Sequence, residues 1–215
     1  MAVFTNKNGA RVLFVHIPKT GGSSVKKYMR ESGWTEAEIA PKSYENIRHG
    51  RGVQYGHATW EVHEKWGHFD YRFTVVRDPV DRFKSEIFHM WSDAQTKKAI
   101  RDLFGGYPCW LITDNVLQEF INKVKKDPQI FGNHIRPQSD FLKPDSSVNV
   151  FRFPESITEV PITLNAIFGT PLVGNSVDHL KRGGPLKFKP SFTKTQKHII
   201  KDYYKEDYKR FFRTA

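Results

Sequence analysis

Residues 16–24 contain the residue types from which proteins build sites for phosphate-like anions: His-Ile-Pro-Lys-Thr-Gly-Gly-Ser-Ser. Two adjacent glycines remove side chains where a backbone must approach a ligand closely. A helix that begins at the serines offers unpaired amide groups and the positive end of its dipole. Lys19 adds a mobile positive charge, and the threonine and serines add hydroxyl donors. The segment predicts an anion cradle between a strand and a helix; a tight turn capped by serine is the less favoured alternative.

The cradle does not follow the pattern of an ATP-binding P-loop. That pattern requires one glycine directly before the lysine and another glycine five residues before the first one. This chain has Pro18 and Leu13 at those two positions. An aspartate that ends a hydrophobic strand and holds magnesium is also missing, because Arg77 takes that place and Asp78 suits a helix cap. A nucleotide kinase is therefore the weaker hypothesis.

Arg77 and Ser85 form a second candidate site for an anion. Arg77 follows a predicted strand, and Ser85 lies on the polar side of the helix predicted next. A guanidinium binds phosphate in a fork, and a serine hydroxyl adds a neutral donor beside it. Arg77 alone would be taken as a partner in a surface salt bridge. With the first cradle about a nucleoside's length away, the pair favours a ligand that carries a phosphate at each end.

These segments lie at the ends of strands that alternate with helices. We predict strands at Arg11–Ile17, Gly52–Tyr55, Tyr71–Val76 and Val148–Phe153. We predict helices at Ser23–Glu31, Thr59–Trp66, Asp114–Lys125, Pro154–Phe168 with an interruption near Pro161, Thr193–Phe212, and from Asp78-Pro79 onward. The alternation predicts an α/β fold with a largely parallel sheet, in a single domain that spans residues 1–215.

The helix after Asp78 has a clear division into an apolar and a polar side. The apolar stripe contains Val80, Phe83, Ile87, Met90 and Trp91. The side chains expected to face away from it are Asp81, Arg82, Ser85 and His89.

Composition restricts the possible partners. The 215 residues carry a formal net charge of +11, which predicts anionic partners. Residues 179–213 alone hold eleven Lys/Arg against three Asp/Glu, so this segment is a nucleic-acid-binding tail, one wall of a polyanion pocket, or a solvated helix face.

Cys109 is the single cysteine, which excludes an internal disulfide and a cysteine-based zinc site. No long apolar stretch is present, so we expect a cytoplasmic protein without a membrane span.

The two anion motifs together resemble those of sulfotransferases that use 3′-phosphoadenosine 5′-phosphosulfate (PAPS). The closer similarity is to the carbohydrate group related to heparan sulfate 2-O-sulfotransferases. The resemblance implies that the 5′-phosphosulfate is held by Lys19, Thr20, Gly21, Gly22, Ser23 and Ser24, and the 3′-phosphate by Arg77 and Ser85. It also implies a P-loop-NTPase-like three-layer fold with a central, mostly parallel sheet flanked by helices.

Three weaker similarities extend the resemblance along the chain: Gly56-His57, His134 to Gln138, and His179 to Arg182. By resemblance, Lys181, Arg182 and Gly183 would close over the 3′-phosphate end of PAPS. His134, Arg136 and Gln138 would lie near a carbohydrate or other hydroxyl-bearing acceptor. A proline-terminated turn is the alternative for that segment.

Sulfuryl transfer requires charge stabilisation on the leaving phosphate and a base for the acceptor hydroxyl. Lys19 is our candidate for the first role. His57 is the candidate base by resemblance, with Glu61 as runner-up among further histidines at 49, 63, 68, 89 and 134. Related sequences with a His-Gly-His arrangement have a second histidine where this chain has Tyr55. No metal is expected, since the histidines lack a metal-site spacing.

Two alternatives to a carbohydrate sulfotransferase stay open. One is a sulfotransferase for a small alcohol or phenol. The other is a non-catalytic nucleic-acid-binding module that uses the basic C-terminal segment, although such a module does not need the glycine-rich segment after a strand. We therefore expect no nucleic-acid partner.

Overall fold

The computed structural model describes residues 1–37, 57–92, 98, 101–102, 104, 106, 112–144, 146–173 and 191–212. The chain forms two compact units, the first from Met1–Arg77 with Gln138–Leu180 and the second from Asp78–Pro137 with Lys181–Ala215. The single domain expected from the sequence stays a prediction. The strand predicted at Gly52–Tyr55 lies outside the described residues.

The first unit is built on a five-stranded sheet with the order β3-β1-β2-β4-β5. Its strands are β1 (Ala2–Thr5), β2 (Arg11–Val15), β3 (Thr35–Ala37), β4 (Tyr71–Arg77) and β5 (Asn149–Phe153). β4 is parallel to both β2 and β5, whereas β1 is antiparallel to β2 and β3. The fold is therefore mixed α/β, with a parallel half as predicted and an antiparallel half that was not predicted.

Helices occur in both units. They are α1 (Gly22–Glu31), α2 (Trp60–His63), α3 (Pro79–Ser92), α4 (Asp114–Lys126), α5 (Glu159–Phe168), α6 (Lys194–Tyr203) and α7 (Lys205–Phe211), with 3₁₀ turns at Glu64–Trp66 and Gln138–Phe141. In the first unit, buried residues of α1 and α5 such as Val25, Met29 and Leu164 pack with buried residues of the sheet. In the second unit, residues of α3, α4 and α6 pack together with residues between the helices, such as Ile135 and Phe192. The three-layer, P-loop-like arrangement stays a prediction.

Two of the predicted helices differ by more than a few residues from the helices of the structure. α5 begins only at Glu159, so Pro161 lies in its first turn, where the missing amide hydrogen breaks no intrahelical hydrogen bond. The predicted helix Thr193–Phe212 is two helices that meet at Tyr204. Tyr204 is buried, and its hydroxyl donates to the Ile135 carbonyl at 2.6 Å.

The start of α3 confirms the predicted cap. Asp78 Oδ1 accepts hydrogen bonds from the amides of Val80 at 2.9 Å and Asp81 at 3.1 Å. The expectation that Arg82 faces away from the core is wrong, since its residue is 1% exposed. Its guanidinium donates to the backbone carbonyls of His134 and Arg136. A helical pattern could not show this, because the carbonyls that need a buried donor come from a distant segment.

Candidate active site

The glycine-rich segment forms the predicted turn between a strand and a helix. β2 ends at Val15 and α1 begins at Gly22. Lys19 and Gly21 have left-handed backbone conformations, with φ values of 65° and 93°. The Gly21 carbonyl accepts from the amides of Ser24 at 3.0 Å and Val25 at 3.3 Å, which closes the first turn. The amides that precede them in this turn have no carbonyl acceptor within the helix, so the N-terminus of α1 is able to bind an anion.

The three hydroxyl side chains of the segment have different surroundings. Thr20 is fully buried, and its hydroxyl donates to the Ile17 carbonyl at 2.9 Å. That hydrogen bond links residues 17 and 20 within the turn and stabilises its backbone conformation. Ser24 is buried as well, whereas Ser23 is exposed. Ser23 is thus the most accessible of the three hydroxyl groups that the sequence analysis assigned to the anion.

Both glycines are also required by packing within the first unit. A Cβ on Gly21 would lie 2.8 Å from Ile157 Cδ1 and 3.0 Å from Phe153 Cδ2. A Cβ on Gly22 would lie 2.0 Å from His16 Nε2 and 2.1 Å from its Cδ2. The sequence argument expected these positions to admit a ligand, but protein side chains already occupy part of the space beside them.

Arg77 is in direct contact with the glycine-rich segment. Its Nη1 atom donates to the Lys19 carbonyl at 3.3 Å, and its guanidinium lies 5.1 Å from the centroid of the Phe153 ring. β2 and β4 are parallel neighbours, so the residues that follow β2 and the last residue of β4 share one edge of the sheet. The guanidinium therefore lies directly beside the first motif. The separation of about a nucleoside's length that was expected from the sequence is not found between the Arg77 guanidinium and the Lys19 backbone.

Gln138 holds the backbone of Arg77. It is fully buried, its Oε1 accepts from the Arg77 amide at 3.0 Å, and its Nε2 donates to the Arg77 carbonyl at 2.9 Å. The side-chain amide therefore satisfies both backbone groups at the end of β4. Sequence reasoning assigned Gln138 to the acceptor and missed this role, because the pairing joins positions 61 residues apart.

His57 has a defined orientation next to the glycine-rich segment. Its Nδ1 lies 3.1 Å from the backbone carbonyl of His16. A carbonyl can only accept, so Nδ1 carries the hydrogen and the lone pair of the neutral ring is on Nε2. This is the tautomer in which Nε2 can accept a proton from a substrate.

The other candidate bases of the first unit differ in exposure. His68 and Glu61 are exposed, and His49 lies outside the described residues, as does Gly56. His63 is 2% exposed, and its Nε2 donates to the Phe141 carbonyl at 2.9 Å. Burial lowers the pKa of His63 below its ordinary value of 6.5. His63 is therefore a buried, neutral residue that tethers α2 to residue 141.

His63 leads to a prediction for stability against pH. Protonation would place a second buried N–H at Nδ1, an atom without a hydrogen-bond partner. The unfolded chain takes up this proton as the pH falls through about 6.5, whereas the folded chain takes it up only at lower pH. The stabilising contribution is thus present above pH 6.5 and is lost below it, by at most about 1.4 kcal/mol per pH unit. Urea unfolding between pH 7.5 and 5.5 measures this slope.

The variant His63→Gln is expected to reduce that slope, since its amide can keep a donor without gaining a charge. The exposed His68→Gln is the matched control and should retain the slope of the native chain. Equal slopes for the two variants would contradict the role given to His63.

The second unit holds the remaining candidates that the structure describes. Ser85 is half-buried on α3. His134 Nδ1 lies 3.0 Å from Oε1 of Glu86, whose side chain is 1% exposed. Arg136 donates from Nη1 to Asn133 Oδ1 at 3.3 Å. The roles proposed for Ser85, His134 and Arg136 stay predictions, and Lys181, Arg182 and Gly183 lie outside the described residues.

The basic side of the last two helices is solvated in the second unit. Its four evenly spaced lysines are all exposed: Lys197, Lys201, Lys205 and Lys209. This agrees with the solvated-face interpretation of that charge run. Among the described residues, no helix is both long and apolar enough to cross a membrane.

A helix N-terminus follows a lysine- and glycine-bearing turn in this mixed α/β unit, and an arginine ends the neighbouring parallel strand. Groups of these types can bind an anion. The sequence model of the sulfotransferase family matches residues 3–159, and the chain belongs to this family. The match extends from β1 into α5 and includes both anion motifs and His57. No curated protein and no solved structure matches the chain. Membership supports sulfuryl transfer to a hydroxyl-bearing acceptor.

Gln138 gives a further prediction about this site. Gln138→Leu removes both hydrogen bonds between the buried side-chain amide and the backbone of Arg77. We expect the free energy of unfolding to fall by about 1–3 kcal/mol, since each lost hydrogen bond contributes about 0.5–1.5 kcal/mol. Chemical denaturation measures this loss. Gln118→Leu on the exposed face of α4 is the matched control, and a Gln138→Leu variant as stable as this control would contradict the prediction.

Proposed function

We propose that the protein transfers the sulfuryl group of PAPS to a hydroxyl group of a carbohydrate. The contact between the Arg77 guanidinium and the Lys19 carbonyl is the observation that carries the proposal. It brings a strand-end arginine and a helix N-terminus together within one unit, and both types of group bind phosphate. Family membership supports the sulfuryl chemistry.

The residues of the first unit fit the charged end of such a donor. PAPS supplies the activated sulfuryl group when it is bound. The amides at the start of α1 and the exposed Ser23 hydroxyl offer hydrogen bonds to its 5′-phosphosulfate, and the Lys19 ammonium adds a positive charge. These donors suit an anion without a metal, because amides, ammonium and hydroxyl supply both hydrogen bonds and charge.

Arg77 would hold the 3′-phosphate after an exchange of partners. Its place beside the first motif suits this role, because the 3′- and 5′-phosphates are attached to the same ribose. In the structure it has a 3.3 Å hydrogen bond to a neutral carbonyl and a contact with the Phe153 ring. A charge-assisted, bidentate contact with phosphate is about twice as strong as a neutral hydrogen bond. An exchange of the Lys19 carbonyl for phosphate would strengthen the contact of the guanidinium, while Gln138 keeps the backbone of Arg77 in place.

The transfer step is an in-line substitution at sulfur. The acceptor oxygen forms the new O–S bond while the bond from sulfur to the oxygen of the 5′-phosphate breaks, which leaves 3′-phosphoadenosine 5′-phosphate. His57 Nε2 takes the proton of the acceptor hydroxyl, because its Nδ1 hydrogen is committed to the His16 carbonyl. Lys19 stabilises the negative charge that develops on the leaving phosphate.

Calorimetry with 3′-phosphoadenosine 5′-phosphate tests the donor assignment. We expect binding in the presence of EDTA that is at least about tenfold tighter than binding of ATP with magnesium, because only the first ligand carries a second phosphate on the 3′ position of the ribose. Arg77→Ala should weaken this binding about tenfold or more, as expected for a lost charge-assisted contact. Equal affinity for the two nucleotides would overturn the proposal and favour a kinase. A screen of glycans and small alcohols with radiolabelled donor then identifies the acceptor.

A further inference from the structure

We propose that His16 is a positioning residue for His57 and that its imidazole sets the plane of the His57 ring during transfer. The inference rests on the proposed function and concerns the same site. His16 is the first residue of the 16–24 segment, and membership of the family does not by itself give its side chain a role.

The backbone of His16 restrains His57 through a hydrogen bond. The His16 carbonyl accepts the hydrogen of His57 Nδ1 at 3.1 Å. This hydrogen bond sets the tautomer and restrains the side-chain torsions of His57 through one ring atom. A second contact, against the ring itself, restrains the direction of Nε2 further.

The His16 side chain supplies this second contact. Its ring centroid is 4.8 Å from that of His57, with an interplanar angle of 61°. The His16 ring also stacks on Phe14, with the ring centroids 5.4 Å apart, and Phe14 is fully buried in the sheet core. The ring of His57 therefore lies edge to face against a ring that is itself held by a rigid neighbour.

The His16 ring is also packed on the first residue of α1. The Cβ of an alanine at position 22 would lie 2.0 Å from His16 Nε2, 2.1 Å from Cδ2 and 2.9 Å from Cε1. These three ring atoms are the nearest heavy atoms to that position, so the absence of a side chain on Gly22 is what allows the ring to lie there. His16 thus connects three parts of the site: the end of β2, the start of the anion-binding helix, and the base.

This connection matters for catalysis because the base and the leaving-group site must keep a fixed relation. A displacement of about 1 Å of a reacting group can lower a rate about 100-fold. Since His16 precedes Lys19 by three residues and touches Gly22, it ties His57 to the same turn that would hold the phosphosulfate. Its contribution should appear in kcat and not in the affinity for the nucleotide.

Two variants of His16 separate ring packing from proton chemistry. His16→Ala keeps the backbone carbonyl but removes the ring, and we expect kcat to fall about 10- to 100-fold with less than a threefold change in the dissociation constant of 3′-phosphoadenosine 5′-phosphate. His16→Phe keeps an aromatic ring on Phe14 and should restore kcat to within about threefold of the native value. Unchanged kcat in His16→Ala, or equal losses in both variants, would overturn the proposal.

A double-mutant cycle tests the same contact from the helix side. Gly22→Ala should lower kcat because the new Cβ displaces the His16 ring. In the His16→Ala background, the same change should have little further effect on kcat, so the two losses should not add. Additive losses would show that Gly22 acts on the donor without His16, which would contradict the inference.

Nitrogen-15 NMR of the His57 ring provides a readout apart from activity. We expect the Nδ1–H tautomer in the native protein and a greater spread of ring orientations, with broadened signals, in His16→Ala. Identical His57 signals in the two proteins would contradict the positioning role. The failure of the proposed function would look different, since the native protein itself would then not bind 3′-phosphoadenosine 5′-phosphate.

Discussion

Lys19→Ala is expected to lower kcat/KM for sulfuryl transfer about 100- to 1,000-fold, the range found when one stabilising donor is removed from developing charge. The ammonium would act on the leaving phosphate, so the loss should fall on kcat as well as on nucleotide affinity. Backbone strain does not explain such a loss, because alanine and lysine both carry a Cβ and are equally disfavoured at a φ of 65°.

Steady-state kinetics with radiolabelled PAPS measure this effect, and two variants serve as controls. Lys19→Arg keeps the positive charge and should recover part of the rate. Lys27→Ala removes one positive charge from α1, where Lys27 forms an ion pair with Glu31 at 2.9 Å, and it should retain nearly native activity. If Lys19→Ala and Lys27→Ala behaved alike, net charge would account for the effect and the stabilising role of Lys19 would be wrong.

His57→Ala is expected to lower kcat about 100- to 10,000-fold and to leave the affinity for 3′-phosphoadenosine 5′-phosphate within about twofold. General base catalysis contributes a factor of this size. The split between kcat and nucleotide affinity follows because His57 would touch the acceptor hydroxyl and no phosphate. Single-turnover transfer assays and calorimetry on the same preparation measure the two quantities.

His57→Asn provides the sharper version of this experiment. Its side-chain amide can donate to the His16 carbonyl as Nδ1 of His57 does, but it cannot accept the proton at neutral pH. We therefore expect a native fold with a rate as low as that of His57→Ala. His68→Ala, at an exposed histidine, is the control and should be active. An active His57→Asn would remove His57 as the base and direct attention to Glu61.

The local features of the site were predictable because they depend on residues close together in sequence. β2 and β4 are apolar runs rich in β-branched and aromatic residues, and Asp78 caps α3. The turn at Lys19 and Gly21 likewise follows from glycine chemistry and from a helix start. Each of these signals lies within a few residues and needs no knowledge of the rest of the chain.

The antiparallel half of the sheet was not predicted. β1 has four residues and β3 has three, and β3 has no buried residue. Such short segments lack the alternation that identifies a strand. They form strands because β1 pairs with both β2 and β3, so the backbone hydrogen bonds of distant segments decide their structure.

The amino-acid sequence by itself determined that the chain has a strand, a lysine- and glycine-bearing turn and a helix, and that an arginine ends a second strand. Only the tertiary structure decided that Arg77 contacts Lys19, that Gln138 clamps Arg77, that Arg82 is buried, and that His16 lies between Phe14, Gly22 and His57. The physical reason is that helix starts, caps and turns depend on neighbouring residues, whereas a buried polar side chain takes its partner from whichever distant backbone group the fold leaves unpaired.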